Sequence, residues 1–272
     1  MLVSMSLIVG GDTAAKVLSE DGMSPIFVAW TRFALASLLL LPVMGLRRSE
    51  LSGLRDGRVW LRALLIMGGI SCILTALRTE PIANAFGAFF IGPVVAYILS
   101  ILVLGERVSA ARSVLLGFSF AGVLMVVQPG FGATIGMGFA LLAGVFHGSY
   151  VVATRAIAPL YRPSFLLISQ LVLGGIVLAP FGLAARPDAV TWAGFGLILL
   201  SALGSAFGNL LLVRLSQTTP SSVIAPLIYT QLLSATAFGF FVFGDFPDPL
   251  SIAGLLVIMG SGFAGLALVR RQ

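Results

Sequence analysis

The sequence predicts an all-α integral membrane protein of ten transmembrane helices, arranged as two inverted five-helix repeats. Three observations carry this expectation. Of the 272 residues, 58% are apolar and only 10% charged, with a mean hydropathy of +1.09, whereas soluble domains carry about 25% charged residues. The apolar residues form ten continuous runs, each near the ~20 residues needed to cross the hydrocarbon. Short motifs also recur at one constant offset of 139 residues. A water-soluble enzyme would need far more charge to cover its surface. The apolar content excludes a disordered chain. Cys72 is the only cysteine and His147 the only histidine, which excludes a disulfide framework and a Cys/His metal cluster.

The expected spans are 2–19, 24–44, 59–78, 82–104, 110–128, 134–154, 164–184, 190–212, 219–243 and 249–269. Together they use ~200 residues and leave no room for a soluble domain. The runs are continuous and not alternating, which argues against a barrel. The first begins at residue 2 and reads as a true first helix, not a cleavable signal peptide. Turn residues mark the breaks: Gly22, Ser24 and Pro25 after the first span, then Pro129-Gly130, Arg162-Pro163-Ser164 and Pro247-Asp248-Pro249. Trp60 and Trp192 lie near span ends, where indole rings anchor to the interface.

Charge sets the orientation. The net charge is +6, and in a membrane protein such an excess reflects topology, since cytoplasmic loops collect Lys and Arg. With the N-terminus inside, the cytoplasmic segments carry Arg47, Arg48, Arg55, Arg58, Arg62, Arg107, Arg112, Arg155, Arg162, Arg214, Arg270 and Arg271. The outer loops carry Arg78 and Arg186 alone. This asymmetry predicts a multi-pass protein of the inner (plasma) membrane with both termini cytoplasmic.

At the offset of 139 residues, Gly105-Glu106 corresponds to Gly244-Asp245, Lys16 to Arg155, and Thr79-Glu80-Pro81 to Thr218-Thr219-Pro220. Matching motifs at one offset divide the chain into residues 1–130 and 131–272, each with five spans. Five is odd, so the second half enters the membrane from the opposite side, and such inverted repeats bind solutes between their halves near the midplane.

Ala83-Asn84-Ala85, Pro93-Val94, Ala96 and Gly105-Glu106, together with Lys16 near the end of the first helix and Arg32 in the second, resemble the drug/metabolite transporter superfamily, EamA-type. Within it, the ten-helix layout is similar to bacterial exporters of amino acids, including aromatic ones. The resemblance implies alternating access and export of small metabolites. Asp245 stands where the first half has Glu106, and no Ala-Asn-Ala precedes the ninth span, so the second half departs from the pattern.

Ionisable groups inside spans are costly and mark candidate sites. Asp12 and Lys16 lie four apart on one helix face and can pair within a substrate site; alternatively Lys16 snorkels outward to Glu20. Arg32, ~10 Å into the second helix, can hold a substrate carboxylate or fasten helices through backbone carbonyls. His147 and Tyr150 share a face of the sixth span; His147 either couples a proton or bonds across helices as a neutral group. Asn84, Gln170, Asn209 and Gln231 are neutral polar groups with interhelical bonding as their default role, Asn84 and Gln231 being further candidates for substrate contact. Trp30, Tyr97 and Tyr229 would wall an apolar cavity with polar tips. Pro93 and Pro226 are candidate hinges inside spans four and nine, and Gly204-x-x-x-Gly208 offers a face for close helix approach.

An intramembrane enzyme would need a nucleophile elbow or an acid dyad. No G-x-S-x-G is present, and Asp12 is the one carboxylate well inside a span. A channel would build its pore by oligomeric symmetry or charged rings, and a scaffold has no need of buried ionisable groups. No phosphate-binding G-x-x-x-x-G-K-[ST] occurs. Topology, repeat and resemblance together point to a monomeric secondary or facilitative exporter of amino acids or similar metabolites. Its partners are then the small-molecule substrate and the lipid bilayer, with no catalytic residue, cofactor, metal or nucleic acid.

Overall fold

A computed structural model describes residues 1–106, 110–127, 134–244 and 249–270, and among these all regular structure is helical. The helices are α1 (Leu2–Glu20), α2 (Pro25–Met44), α3 (Gly57–Leu77), α4 (Ile82–Phe89), α5 (Ile91–Leu104), α6 (Ala110–Val127), α7 (Ile135–Ile157), α8 (Pro163–Val177), α9 (Ala179–Ala184), α10 (Trp192–Thr218), α11 (Ser221–Ile228), α12 (Thr230–Phe238) and α13 (Pro249–Arg270). A 3-10 helix, Arg48–Arg55, joins α2 to α3, and a π-turn, Gly239–Phe243, extends α12. Among the described residues six helical stretches are long and apolar enough to cross a membrane: α1, α2, α3, Ala85–Leu104 across α4 and α5, α7 and α10.

Local chemistry explains the ends. Pro25 and Pro163 open α2 and α8, where no amide donor is needed. The side chains of Asp56, Thr134 and Thr191 cap α3, α7 and α10 by accepting from Arg58 N, Met137 N and Gly194 N. Gly105 ends α5 and Gly244 ends the π-turn, both in the left-handed region with φ 62° and 73°. These are the two glycines of the repeat motif, and the backbone explains why each stop is glycine.

Three expected spans are interrupted, at Phe90, Leu178 and Tyr229. Pro93 removes an amide donor and its ring crowds the Phe89 carbonyl one turn back, which accounts for the first break. Leu232 stands at the corresponding place in the second half, so proline does not cause the break at Tyr229. The two breaks nevertheless meet. The Tyr229 and Phe90 rings lie 5.3 Å apart, and Tyr229 Oη reaches the Phe90 carbonyl at 3.5 Å across 139 residues of sequence.

The principal packing partners are α1 with α10, α3 with α7, α2 with α8, α6 with α13, and α5 with α7 and α11. Each pair joins a helix from before residue 128 to one from after residue 133. Small residues allow this approach. A Cβ on Gly208 would meet the Ser4 carbonyl oxygen at 2.7 Å, and the Ser4 hydroxyl donates to Gly208 O at 2.7 Å. Gly144 of α7 lies against the Phe89 carbonyl in the same way. Phe33, Phe86, Phe90, Tyr150, Phe165 and Tyr229 fill the interior. Many large apolar side chains face outward, Trp192 at 91% exposure among them, as expected of a surface solvated by lipid tails.

Candidate functional site

At the centre of the bundle seven helices leave a narrow cavity. Ile8 and Asp12 come from α1, Arg32 from α2, Ile66, Gly69, Ile70 and Ile73 from α3, Phe86 and Phe89 from α4, His147 from α7, Ser205 and Asn209 from α10, and Gln231 from α12. The space open to the centre of a water-sized sphere is ≈ 30 Å³, enough for about two waters. A smaller cavity adjoins it, sharing Arg32, Ile70, Ser205 and Asn209 and adding Gln170.

The Asp12–Arg32 ion pair dominates the polar wall. Arg32 Nη1 lies 2.6 Å from Asp12 Oδ1, with both side chains almost wholly buried. Arg32 also donates from Nε to Ser201 Oγ at 2.7 Å and from Nη2 to the Gly11 carbonyl at 2.7 Å. Desolvating two ions costs several kcal/mol each, and only good geometry with further hydrogen bonds offsets it; both are present here. Beside the pair are three buried polar atoms with no hydrogen-bond partner: His147 Nε2, Asn209 Oδ1 and Gln231 Oε1. Asn209 Nδ2 is engaged with the Ser205 carbonyl at 2.9 Å, so the amide's free face is its oxygen. Native proteins leave few buried polar atoms unpaired, and among the described residues these three belong to side chains that line one cavity.

A second polar cluster lies between α3, α7 and α8. Arg62 is fully buried and donates to Thr154 Oγ1 (2.9 Å), Leu166 O (2.7 Å) and Tyr150 Oη (2.9 Å). Tyr150 Oη in turn donates to Gln170 Oε1 at 3.0 Å. At one end of the bundle the 3-10 segment is latched to the α7–α8 turn. Arg162 grips Glu50 at 2.5 and 2.7 Å, and Tyr161 Oη donates to Asp56 Oδ2 at 2.9 Å. The Arg162 hydrogen bond holds the Glu50 carboxyl below its usual range. Asp56, bound chiefly by Arg58, is lowered to about 2. At the other end Lys16 Nζ donates to Leu77 O and Glu80 O, both at 3.1 Å, and Thr134 Oγ1 bonds Glu80 Oε1. Arg155 does for α10 what Lys16 does for α3, donating to Ser216 O and Gln217 O at 2.9 Å.

Of the residues singled out in the sequence, Asp12, Arg32, His147 and Gln231 meet at the cavity. Of the two alternatives for Lys16, the structure has the pairing with Glu20 and not the one with Asp12. Asp12 pairs with Arg32, and Lys16 lies 3.4 Å from Glu20 with its ammonium over the Phe243 ring. Trp30, Tyr97 and Tyr229 do not line this cavity together. Trp30 Nε1 donates to Gly175 O, Tyr97 Oη bonds Ser113 Oγ, and Tyr229 packs on Phe90. Tyr150 stands one step behind, its ring 6.0 Å from that of His147. The Asn84 and Pro226 side chains and Asp245 lie outside the described residues. Arg62, counted from sequence with the cytoplasmic arginines although it falls within the expected span 59–78, is fully buried in α3. Ser201 and Ser205 are not among the residues singled out in the sequence, although with Asn209 they form a polar stripe at i, i+4, i+8 on an apolar helix.

The fold and site define a polytopic membrane protein with a narrow cavity at the meeting of its helices, apolar over most of its wall and polar at Asp12, Arg32, His147, Ser205, Asn209 and Gln231. The chain belongs to the EamA-like transporter family, whose profile matches residues 1–128 and again 134–268. It is therefore a membrane transporter of the drug/metabolite transporter superfamily. It is 26% identical over 245 residues to an S-adenosylmethionine uptake transporter of Rickettsia prowazekii, covering 85% of this chain and 79% of the relative. It is 25% identical to a pseudopaline exporter of Pseudomonas aeruginosa, covering 85% and 82%. A riboflavin transporter of Rhizobium johnstonii is also 25% identical, with 90% and 80% covered. One solved crystal structure shares the fold with a TM-score of 0.76 at 17% identity, covering 99% of this chain and 97% of that one.

Proposed function

We propose that the protein exports amino acids or similar small metabolites across the inner membrane, as a monomeric secondary or facilitative carrier working by alternating access. It does so with ten spans in two inverted halves, residues 1–130 and 131–272, and with both termini in the cytoplasm. The observation that carries this reading is the central cavity, walled by helices from both halves and by a buried ion pair. The double match of the family profile supports the two halves, as do the breaks at Phe90 and Tyr229 and the paired roles of Lys16 and Arg155. Asp12, Arg32, His147 and Gln231 are the proposed substrate-facing residues. Closure at the cytoplasmic end runs through Glu50–Arg162 and Asp56–Tyr161, which a rocking motion must break to open that side.

The relatives' names favour a second reading, in which the cargo is another metabolite and the direction is uptake or export. Counterflow in proteoliposomes decides between them. Preloaded amino acid is expected to accelerate entry of labelled amino acid. A flat response across the twenty, with exchange of S-adenosylmethionine or riboflavin, would replace the substrate class and keep the transporter.

A further inference from the structure

We infer that the central cavity recognises its substrate by a protonated amine, held against Asn209 Oδ1, Gln231 Oε1 and the Asp12 carboxylate. This rests on the transporter reading and adds the part of the substrate that is read. The atom that Asn209 leaves unpaired is its acceptor, Oδ1, while Nδ2 already donates to the Ser205 carbonyl. Gln231 Oε1 is a second unpaired acceptor on the facing helix α12. Both side chains are nine-tenths buried or more, at 3% and 2% exposure. Asp12 supplies a carboxylate in the same wall.

An ammonium group brings three donors and a positive charge to this set, and charge-assisted bonds to it are the strong kind. A carboxylate set against these same unpaired oxygens would meet their lone pairs and the Asp12 charge. Arg32, the obvious partner for a carboxylate, already gives Nε, Nη1 and Nη2 to Ser201, Asp12 and Gly11. Size agrees, since ≈ 30 Å³ admits a headgroup as small as an ammonium and requires the bundle to open for the rest of a substrate. His147 Nε2, unpaired on the same wall, donates or accepts according to its tautomer and so suits a polar neighbour of the amine.

The test separates amine from acid on one carbon skeleton. Purified full-length protein is challenged in thermal unfolding with L-leucine, isoamylamine and 4-methylpentanoate, and with L-phenylalanine, phenethylamine and 3-phenylpropanoate. The same compounds compete in counterflow. The amino acids and the bare amines are expected to raise the unfolding temperature and compete, and the deaminated acids to do neither. Gln231→Met should weaken amine binding roughly tenfold or more while leaving the free protein about as stable, because it removes an oxygen that has no partner; Asn209→Leu should weaken binding likewise and lower the unfolding temperature slightly, since it also loses the Nδ2 bond to the Ser205 carbonyl. Gln231→Glu, which keeps an acceptor and adds charge, should strengthen amine binding; a purely structural glutamine predicts the reverse. Acids binding as well as amines, no member of either set binding, or variants binding amine like the wild type would each overturn the inference. Amine-selective binding without counterflow would keep the site and remove the transport reading. Counterflow indifferent to the amine would do the opposite.

Discussion

The Asp12 carboxylate sits 20 residues before Arg32 in sequence and 2.6 Å from it in space. Breaking a buried pair strands a charge, at a cost of ~3–5 kcal/mol, whereas replacing both partners by apolar groups is often near neutral. Asp12→Leu and Arg32→Met are therefore each expected to lower stability by ~3–5 kcal/mol, and the double variant to recover most of the loss. Thermal unfolding of the three proteins, arranged as a double-mutant cycle, measures this. Additive losses would mean that the two side chains do not act as a pair. Sequence already marked both residues as buried charges in need of a partner. It offered Asp12 only Lys16, one turn away on the same helix, because the reach of Arg32 to Asp12 depends on the rotation of α1 relative to α2.

Glycines separate helix faces in a way that can be measured. On α7, Gly144 lies against the Phe89 backbone, whereas a Cβ at Gly138 would meet nothing within 4 Å. Gly144→Ala forces backbone apart and is expected to cost ~1–3 kcal/mol. Gly138→Ala should gain up to ~1 kcal/mol from helix propensity alone. Unfolding midpoints of the two variants check the contrast, and equal effects would contradict the close α4–α7 approach. Helix positions were legible because apolar runs and turn residues are local signals. The interruption at Phe90 was legible only as Pro93 three residues on, and the one at Tyr229 was not legible, since no proline or glycine at that place announces it.

Across the whole molecule, the latch at Glu50 and Asp56 ties the segment between α2 and α3 to the α7–α8 turn at one end of the bundle, and it titrates. Both carboxyls are lowered in the folded state, Glu50 chiefly by Arg162 and Asp56 chiefly by Arg58. Their contribution is thus present above the ordinary carboxylate pKa and is lost as pH falls through the folded value. For Asp56 that window runs from its ordinary 3.8 down to about 2. Unfolding temperature is expected to be insensitive to this end between about pH 7 and 5 and to fall below about pH 4; Glu50→Gln/Asp56→Asn should flatten that slope. Orientation has its own test. In a Cys72→Ala background, cysteines at Ser49 and at Arg186 are expected to react with an impermeant maleimide from opposite faces of the membrane, Ser49 from the cytoplasmic one. Labelling of both from one face would overturn the proposed topology.

By itself the sequence determined the lipid-embedded class, the positions of the helices and the resemblance that the family match bore out, because hydropathy, turn chemistry and motif spacing are properties of short segments. The tertiary structure decided which polar groups meet. It set Lys16 against Glu20 and Arg32 against Asp12, drew Arg62 into the interior and brought Ser205 and Asn209 to the wall beside Gln231. The physical reason is that burial makes every polar atom seek a partner, and the available partners are set by how neighbouring helices are rotated and shifted against one another, which no local pattern encodes.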